Sequence, residues 1–118
     1  ELVHRKGITL IGIGSKKYIE YLKKERKSNS IIEYCDFFID NKGEVGDACI
    51  EVKGLEQKVA PTSTISGVLI LQLLFTTAVF KVIEKGFLPP IFVSGNLPEG
   101  KERNKELINK YRKVVRML

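Results

Sequence analysis

The feature that most constrains this chain is residues 59–80, a run that contains no Asp, Glu, Lys or Arg. Pro61-Thr62-Ser63-Thr64 lies near its start. Proline, serine and threonine begin helices because a missing N–H or a side-chain oxygen resolves the unpaired donors of the first turn. The run therefore predicts a long helix from this segment to about Lys85, ended by Gly86.

Large apolar side chains surround this predicted helix on all sides, which places it at the centre of a protein or in an interface. They are Ile65, Val68, Leu69, Leu71, Leu73, Leu74, Phe75, Val79, Phe80, Val82 and Ile83. A membrane span is disfavoured because the most apolar part, 67–80, is short and includes Gln72, Thr76 and Thr77. A spanning helix needs about 20 apolar residues.

The composition is that of a folded domain. Leu, Ile, Val and Phe make up 41 of the 118 residues, which excludes intrinsic disorder and a collagen-like structure. The length predicts a single domain, 1–118. Cys35 and Cys49 are too few for a disulfide scaffold and form no zinc motif, and the first residues are not a signal peptide. We therefore predict a cytoplasmic protein.

The first residues indicate that the chain is part of a larger domain. Glu1 to Lys6 resembles the last turn of a helix, with Gly7 as its stop, and a strand follows at once. A chain that starts in the last turn of a helix starts in the middle of a domain. We therefore expect a fragment or half-protein.

Apolar, β-branched runs without alternation predict strands that are covered on both faces, as in a parallel sheet. The predicted strands are 8–13, 35–40, 48–53 and 91–93, and the other predicted helices are 16–27 and 102–117. Segment 48–53 alternates and is predicted to be an edge strand. The fold class is therefore α/β, with a mostly parallel sheet flanked by helices.

Ligands of such sheets bind beyond the carboxyl ends of the strands, and three segments of this chain are predicted to lie there. They supply the candidate ligand-contact residues Ser15, Thr62, Ser63, Thr64, Ser94 and Asn96. Three hydroxyls at a helix N-terminus suit a phosphate, because the helix dipole and the free N–H groups attract anions. On the residues alone, ordinary helix capping is the stronger interpretation of the same hydroxyls.

Other chemistries have weaker support. Gly12-Ile13-Gly14 follows a predicted strand, but Lys17 stands where a dinucleotide fingerprint has its third glycine. His4 has no nearby acid, so no Ser/His/Asp or Cys/His arrangement can be assembled. The acids Asp36, Asp40, Glu44 and Asp47 surround a turn, where turn formation is commoner than metal binding. We predict no cofactor and no metal site, and identify no catalytic residue.

The basic charge has two centres and leaves nucleic acid as an alternative partner. Segment 16–27 holds six cations against two acids, and segment 99–118 holds seven against three. Tyr18 and Tyr21 among the lysines keep this alternative open. No nucleic-acid-binding motif accompanies them, so a solvated helix face is the stronger interpretation.

Several stretches together resemble the sugar isomerase (SIS) domain family, specifically its UPF0309-type group. They are Cys35-Asp36-Phe37-Phe38-Ile39-Asp40-Asn41, Gly46-Asp47-Ala48, Ala60-Pro61-Thr62-Ser63-Thr64 and Pro89-Pro90-Ile91-Phe92-Val93-Ser94-Gly95-Asn96, with Asn104 and Tyr111. Their order and spacing fit across nearly the whole chain. The resemblance implies a Rossmann-like sandwich with a five-stranded parallel sheet that binds phosphosugars at the strand ends.

The resemblance also implies that the chain is the C-terminal half of such a domain. In the family, the other half carries the Gly-rich first strand turn and the Ser-rich loop that holds the sugar phosphate. Where related heptose-phosphate isomerases carry Gln-Glu and His for proton transfer, this chain has Val68, Leu69 and Leu71. A sugar-phosphate isomerase therefore requires completion by an N-terminal half.

Our leading hypothesis is a phosphosugar-binding SIS-type domain that contacts its ligand through the six candidate residues. The alternatives are a sugar-phosphate sensor or regulatory module without catalysis, an oligomerisation module, and, with least support, a basic nucleic-acid binder. Because an all-round apolar helix must be covered, we predict a homo-oligomer or pairing with a separate N-terminal half.

Overall fold

The structure, a computed structural model, describes residues 6–26 and 30–115. The chain divides into two compact units, residues 1–75 and 76–118. Its elements are β1 (Ile11–Gly14), α1 (Lys16–Arg26), a 3₁₀ turn (Ile31–Tyr34), β2 (Phe37–Asp40), β3 (Ala48–Ile50), β4 (Val59–Pro61), α2 (Ser63–Glu84) and α3 (Pro98–Tyr111). The mixed α/β class is confirmed.

Strands β1 and β2 pair in parallel, in a register that places Ile11 beside Phe37 and Gly14 beside Asp40. The backbone ladder continues past the carboxyl ends, where the Asn41 N–H donates to the Gly14 carbonyl at 2.9 Å. A Cβ at Gly12 in β1 would lie 2.5 Å from the Cys35 sulfur and 3.1 Å from the Phe38 ring, so a larger residue there would displace these side chains. Both strands were predicted, although each begins two or three residues later than expected.

The second sheet pairs β3 with β4 in antiparallel orientation, with Ala48 opposite Pro61 and Ile50 opposite Val59. The sequence predicted β3 as an edge strand but missed β4, a strand of three residues that ends two residues before α2 begins. The described residues thus form two sheets of two strands each. Within the described residues β1–β2 is the parallel pair and β3–β4 the antiparallel one, so a mostly parallel sheet is not shown.

The predicted strand 91–93 is wrong, since no strand is formed there. A strand needs a neighbouring backbone to complete its ladder. The Asn104 side chain takes that place: its Oδ1 accepts from the Val93 N–H at 2.9 Å and its Nδ2 donates to the Val93 carbonyl at 2.7 Å. The Asn104 amide therefore pairs with both backbone groups of Val93, while the Ile91 N–H donates to the Pro89 carbonyl at 3.0 Å.

Helix α2 begins and ends where the sequence predicted. The Ser66 N–H donates to the Thr62 carbonyl at 2.9 Å, which makes Thr62 the N-cap residue. At the other end, Gly86 has a φ of +81°. Its N–H bonds the Ile83 carbonyl while the Phe87 N–H bonds the Val82 carbonyl, at 2.8 and 3.1 Å. This pair of bonds is a Schellman motif, which needs a left-handed residue such as glycine.

No hydrophobic side chain among the described residues is buried. On α2, Ile65 is 73% exposed and Leu74, on the opposite side of the helix, is 38% exposed. By length and composition alone, α2 is long and apolar enough to cross a membrane. The core helices of soluble proteins pass the same test.

In the second unit, α3 starts and ends earlier than the predicted 102–117. Pro98 occupies its first turn, where the missing N–H costs nothing. Leu107 and Tyr111, two members of its predicted apolar stripe, line a cavity of about 210 Å³ together with Pro90, Phe92 and Val115.

Some predictions lie outside the described residues. These are most of the helix end at 1–6 with its His4, the last residue of predicted helix 16–27 and the last two residues of predicted helix 102–117. Gly7, the predicted stop of the first of these, has a φ of +65°.

Candidate functional site

A cavity of about 360 Å³ lies in the first unit, beyond the carboxyl ends of β1 and β2. We call it the strand-end cavity. It is lined by Ile13, Gly14, Ser15, Tyr18, Asn41, Gly43, Glu44, Asp47, Ser63, Gly67 and Leu71. Its volume is within the range of roughly 300–1,000 Å³ that is usual for small-molecule sites, and its place agrees with the rule for parallel strands.

Ser15 shapes one wall and caps α1. Its hydroxyl accepts from the Tyr18 N–H at 3.1 Å and donates to the Gly43 carbonyl at 2.5 Å, while its own carbonyl accepts from the Ile19 N–H. The same hydroxyl therefore fixes the start of α1 and ties it to the loop after β2. The Ser15 side chain is therefore a helix cap, a role that the sequence suggested only for the hydroxyls at the start of α2.

The side chain of Asp47, from the turn before β3, lies against the start of α2. Its Oδ1 accepts from the Thr62 and Ser63 N–H groups at 3.0 and 2.7 Å, and its Oδ2 accepts from the Ser63 hydroxyl at 2.6 Å. The Ser63 hydroxyl bond, with the backbone bonds behind it, lowers the pKa of the Asp47 carboxyl. A carboxylate of the chain itself therefore accepts hydrogen bonds at this helix start, for which the residues suggested either capping or a phosphate.

Glu44, the second acid of the cavity, is paired with Lys17 at 2.6 Å, and this hydrogen bond lowers the Glu44 pKa. Nearby, Asp40 accepts from the Lys42 ammonium at 2.8 Å and from the Lys16 N–H at 3.1 Å. These bonds, the Lys42 side-chain bond first, lower the pKa of Asp40 to about 2. The cavity is therefore lined by ionised carboxylates, and within the described chain no Lys or Arg lines it.

The structure separates the six predicted ligand-contact residues into three groups. Ser15 and Ser63 both line the strand-end cavity. Thr62 is beside it and bonds Asp47 through its N–H and its hydroxyl, whereas Thr64 is exposed and is not a lining residue. Ser94 and Asn96 belong to the second unit, where the Ser94 hydroxyl accepts from the Asn96 N–H at 3.4 Å in a local turn.

Sequence reasoning did not assign Tyr18, Asn41, Glu44 or Asp47 to a binding site. Asp47 has a φ of +71° and follows Gly46 at +82°, so the turn aims its carboxylate at a helix start fifteen residues further on. A Gly-Asp pair in a turn signals local geometry only. Which helix an aspartate caps depends on how β3 and β4 pair, and no local pattern reports that.

Comparison with curated proteins finds relatives along the whole chain, while no family model matches it. The UPF0309 protein of Thermoanaerobacter pseudethanolicus is 37% identical over 117 residues, which is 97% of this chain and 47% of that protein. The UPF0309 protein of Listeria innocua is 34% identical over 119 residues, 100% of this chain and 48% of that protein. The UPF0309 protein of Halalkalibacterium halodurans is 33% identical over 114 residues, 96% and 46% respectively.

The similarity to proteins of the UPF0309 name is thus confirmed at 33–37% identity. The chain spans about half the length of the curated relatives it matches. About half of each relative therefore lies outside the match.

Proposed function

We propose that this chain is part of a SIS-type domain that binds a phosphosugar, with the sugar hydroxyls in the strand-end cavity. The observation that carries the proposal is the convergence of Asn41, Glu44, Asp47 and Ser63 on one cavity at the ends of two parallel strands. The resemblance of the motifs to SIS domains supports the same assignment. In this proposal β1 and β2 are two strands of the larger parallel sheet.

The charge of the cavity indicates which part of the ligand it takes. Glu44 and Asp47 have lowered pKa values and are anionic at neutral pH, so they accept hydrogen bonds from hydroxyl groups. A phosphate next to the Asp47 carboxylate would be repelled, whereas the charge of Glu44 is compensated by Lys17. We therefore place the sugar ring in the cavity and the phosphate at its rim or beyond.

The same pKa shifts favour binding over catalysis by these residues. A general acid at neutral pH needs a carboxyl whose pKa is raised towards 7, whereas both cavity carboxyls are shifted downwards. The residues of the cavity are therefore assigned to positioning a sugar, and an isomerase reaction would need proton-transfer groups from elsewhere.

The nucleic-acid alternative has less support in the geometry. Three lysines of α1 are paired with acids: Lys16 with Glu20, Lys17 with Glu44 and Lys23 with Glu33. These pairs lower the net positive charge that α1 would offer to a phosphate backbone.

Gly67 provides the sharpest test. It lines the cavity on α2, and a Cβ added there meets nothing within 4 Å. Gly67→Leu is therefore expected to fill the cavity without disturbing the helix, and to weaken binding of a hexose 6-phosphate at least tenfold in isothermal titration calorimetry. Ala78→Leu adds bulk to the same helix outside the cavity and is the matched control, with an expected change below twofold.

The parent hexose and inorganic phosphate separate the two parts of the ligand. The proposal expects Gly67→Leu to lose binding of the hexose as well, and to leave any weak phosphate binding unchanged. It is contradicted by a chain that binds no hexose phosphate, or by a Gly67→Leu variant that binds as tightly as the wild type.

A further inference from the structure

The apolar surface of α2 is unusual because it extends around the whole helix. Successive residues of an α-helix are about 100° apart, so Ile65 and Leu74 point in opposite directions. Both are exposed, at 73% and 38%, and Leu69 between them is 57% exposed. All three belong to the first unit. A single contact stripe cannot cover side chains on opposite sides of a helix.

The β1–β2 sheet of the same unit is also incomplete. Parallel sheets occur with helices on both faces and with several strands, since isolated parallel pairs leave their backbone edges and side chains in water. Within the described residues each strand has one paired edge only. Ile11 and Phe37, which lie opposite each other in the register, are 47% and 63% exposed.

From these observations we infer that α2 and the β1–β2 sheet form a docking surface for the polypeptide region that the UPF0309 relatives carry outside the match, which we call the complement. The relatives contain about as much chain again as the match covers. This is enough polypeptide to supply strands for the sheet edges and elements for several sides of α2. The inference is independent of the proposed sugar binding.

Two other occupants fit the surface less well. A second copy of this chain, related by a two-fold axis, buries one patch of α2 against the same patch and leaves the opposite side exposed. A lipid bilayer covers all sides of α2 but offers no partners for the unpaired N–H and C=O groups at the edges of the sheet. A polypeptide with its own strands meets both requirements.

The test uses the whole 118-residue chain and, as the complement, the region of the Thermoanaerobacter pseudethanolicus relative outside the match. The two polypeptides are co-expressed as separate chains, and a second preparation joins them in one continuous chain. Size-exclusion chromatography with light scattering gives the stoichiometry of the separate chains. We expect a 1:1 complex. Hydrogen exchange of the α2 amides should slow at least tenfold in the complex and in the joined chain.

Substitutions on opposite sides of α2 separate the occupants. Ile65→Lys and Leu74→Lys should each weaken the complex at least tenfold. Leu88→Lys, the same change at a residue that is 92% exposed outside α2, should change it less than twofold. Circular dichroism of each variant chain confirms that the helices are retained, since the replaced side chains are exposed in the chain alone.

Three results overturn the inference. The first is an α2 that exchanges as fast in the joined chain as in the chain alone. The second is a homodimer that excludes the complement and responds to only one of the two α2 substitutions. The third is binding of the chain to phosphatidylcholine vesicles that the complement does not displace.

Discussion

The start of α2 has its polar groups hydrogen-bonded within the chain, whereas the body of the same helix keeps its apolar side chains exposed. At the start, Asp47 satisfies the N–H groups of Thr62 and Ser63 and the Ser63 hydroxyl within 3.0 Å. Along the body, Ile65 and Phe75 remain 73% and 62% exposed. A few atoms of a nearby loop can satisfy polar groups, whereas an apolar side chain is stabilised only in proportion to the area that other polypeptide covers.

This difference separates local from long-range determinants of the fold. The hydrogen bonds between Asp47 and residues 62–63, which we call the polar junction, are made within one unit and can form in the chain alone. The apolar body of α2 contributes stability only when a larger surface covers it. Substitutions at the junction should therefore affect the chain by itself, while those on the body should matter mainly in a complex.

The largest effect is expected from Asp47→Ala, which removes the acceptor for the start of α2. Loss of an N-terminal cap of this kind should lower the unfolding temperature by on the order of 5 °C. Thermal unfolding followed by circular dichroism measures the change. Asp47→Asn keeps one acceptor oxygen and tolerates the positive φ, so it should lose less. Equal unfolding temperatures for Asp47→Ala and the wild type would show that the junction does not hold α2.

A smaller effect is expected from acid. The pKa of Asp47 is lowered below its ordinary 3.8. The stability that its hydrogen bonds provide is therefore fully present above that value and is lost as the pH falls through the lower, folded-state pKa. Between pH 5 and pH 2, the wild type should lose more stability than Asp47→Asn in urea unfolding. Parallel losses in the two proteins would contradict the assignment.

Two backbone substitutions test the turn that positions the junction. Gly46 has a φ of +82°, so Gly46→Ala should destabilise the chain by about 1 kcal/mol in urea unfolding. Ala60 has a φ of +62° in β4, so Ala60→Gly should relieve strain and add about 0.5 kcal/mol. Changes of the same sign in both variants would show that backbone strain is not the determining factor.

The smallest effect is expected on the body of α2. Leu69 is 57% exposed, so Leu69→Ala should cost the chain alone less than about 0.5 kcal/mol. Truncating a buried leucine costs about 2–5 kcal/mol, and we expect that range when the chain is joined to the complement. Urea unfolding of both forms measures the contrast. A loss of 2 kcal/mol in the chain alone would mean that Leu69 is already covered.

The sequence correctly predicted what depends on neighbouring residues. The ends of α2 were identified because Thr62 and Gly86 are the residue types that a helix cap and a Schellman motif require. β1 was identified from the apolar, β-branched run 8–13, and β2 from the apolar run Phe37-Phe38-Ile39. Of the three segments predicted to lie at strand ends, the one after β1 and the start of α2 contribute Ser15 and Ser63 to the strand-end cavity, whereas the loop after β2 was not among them.

Only the tertiary structure decided the remaining features, because they depend on residues far apart in the chain. Segment 91–93 has the composition of a strand, yet Asn104 takes its hydrogen bonds. Asp47 looks like an ordinary turn residue until the pairing of β3 with β4 brings it to the start of α2. The sequence by itself determined that α2 is a long helix with apolar side chains on every side. The tertiary structure shows that the described chain covers none of them completely, since burial requires a partner surface and local sequence cannot provide one.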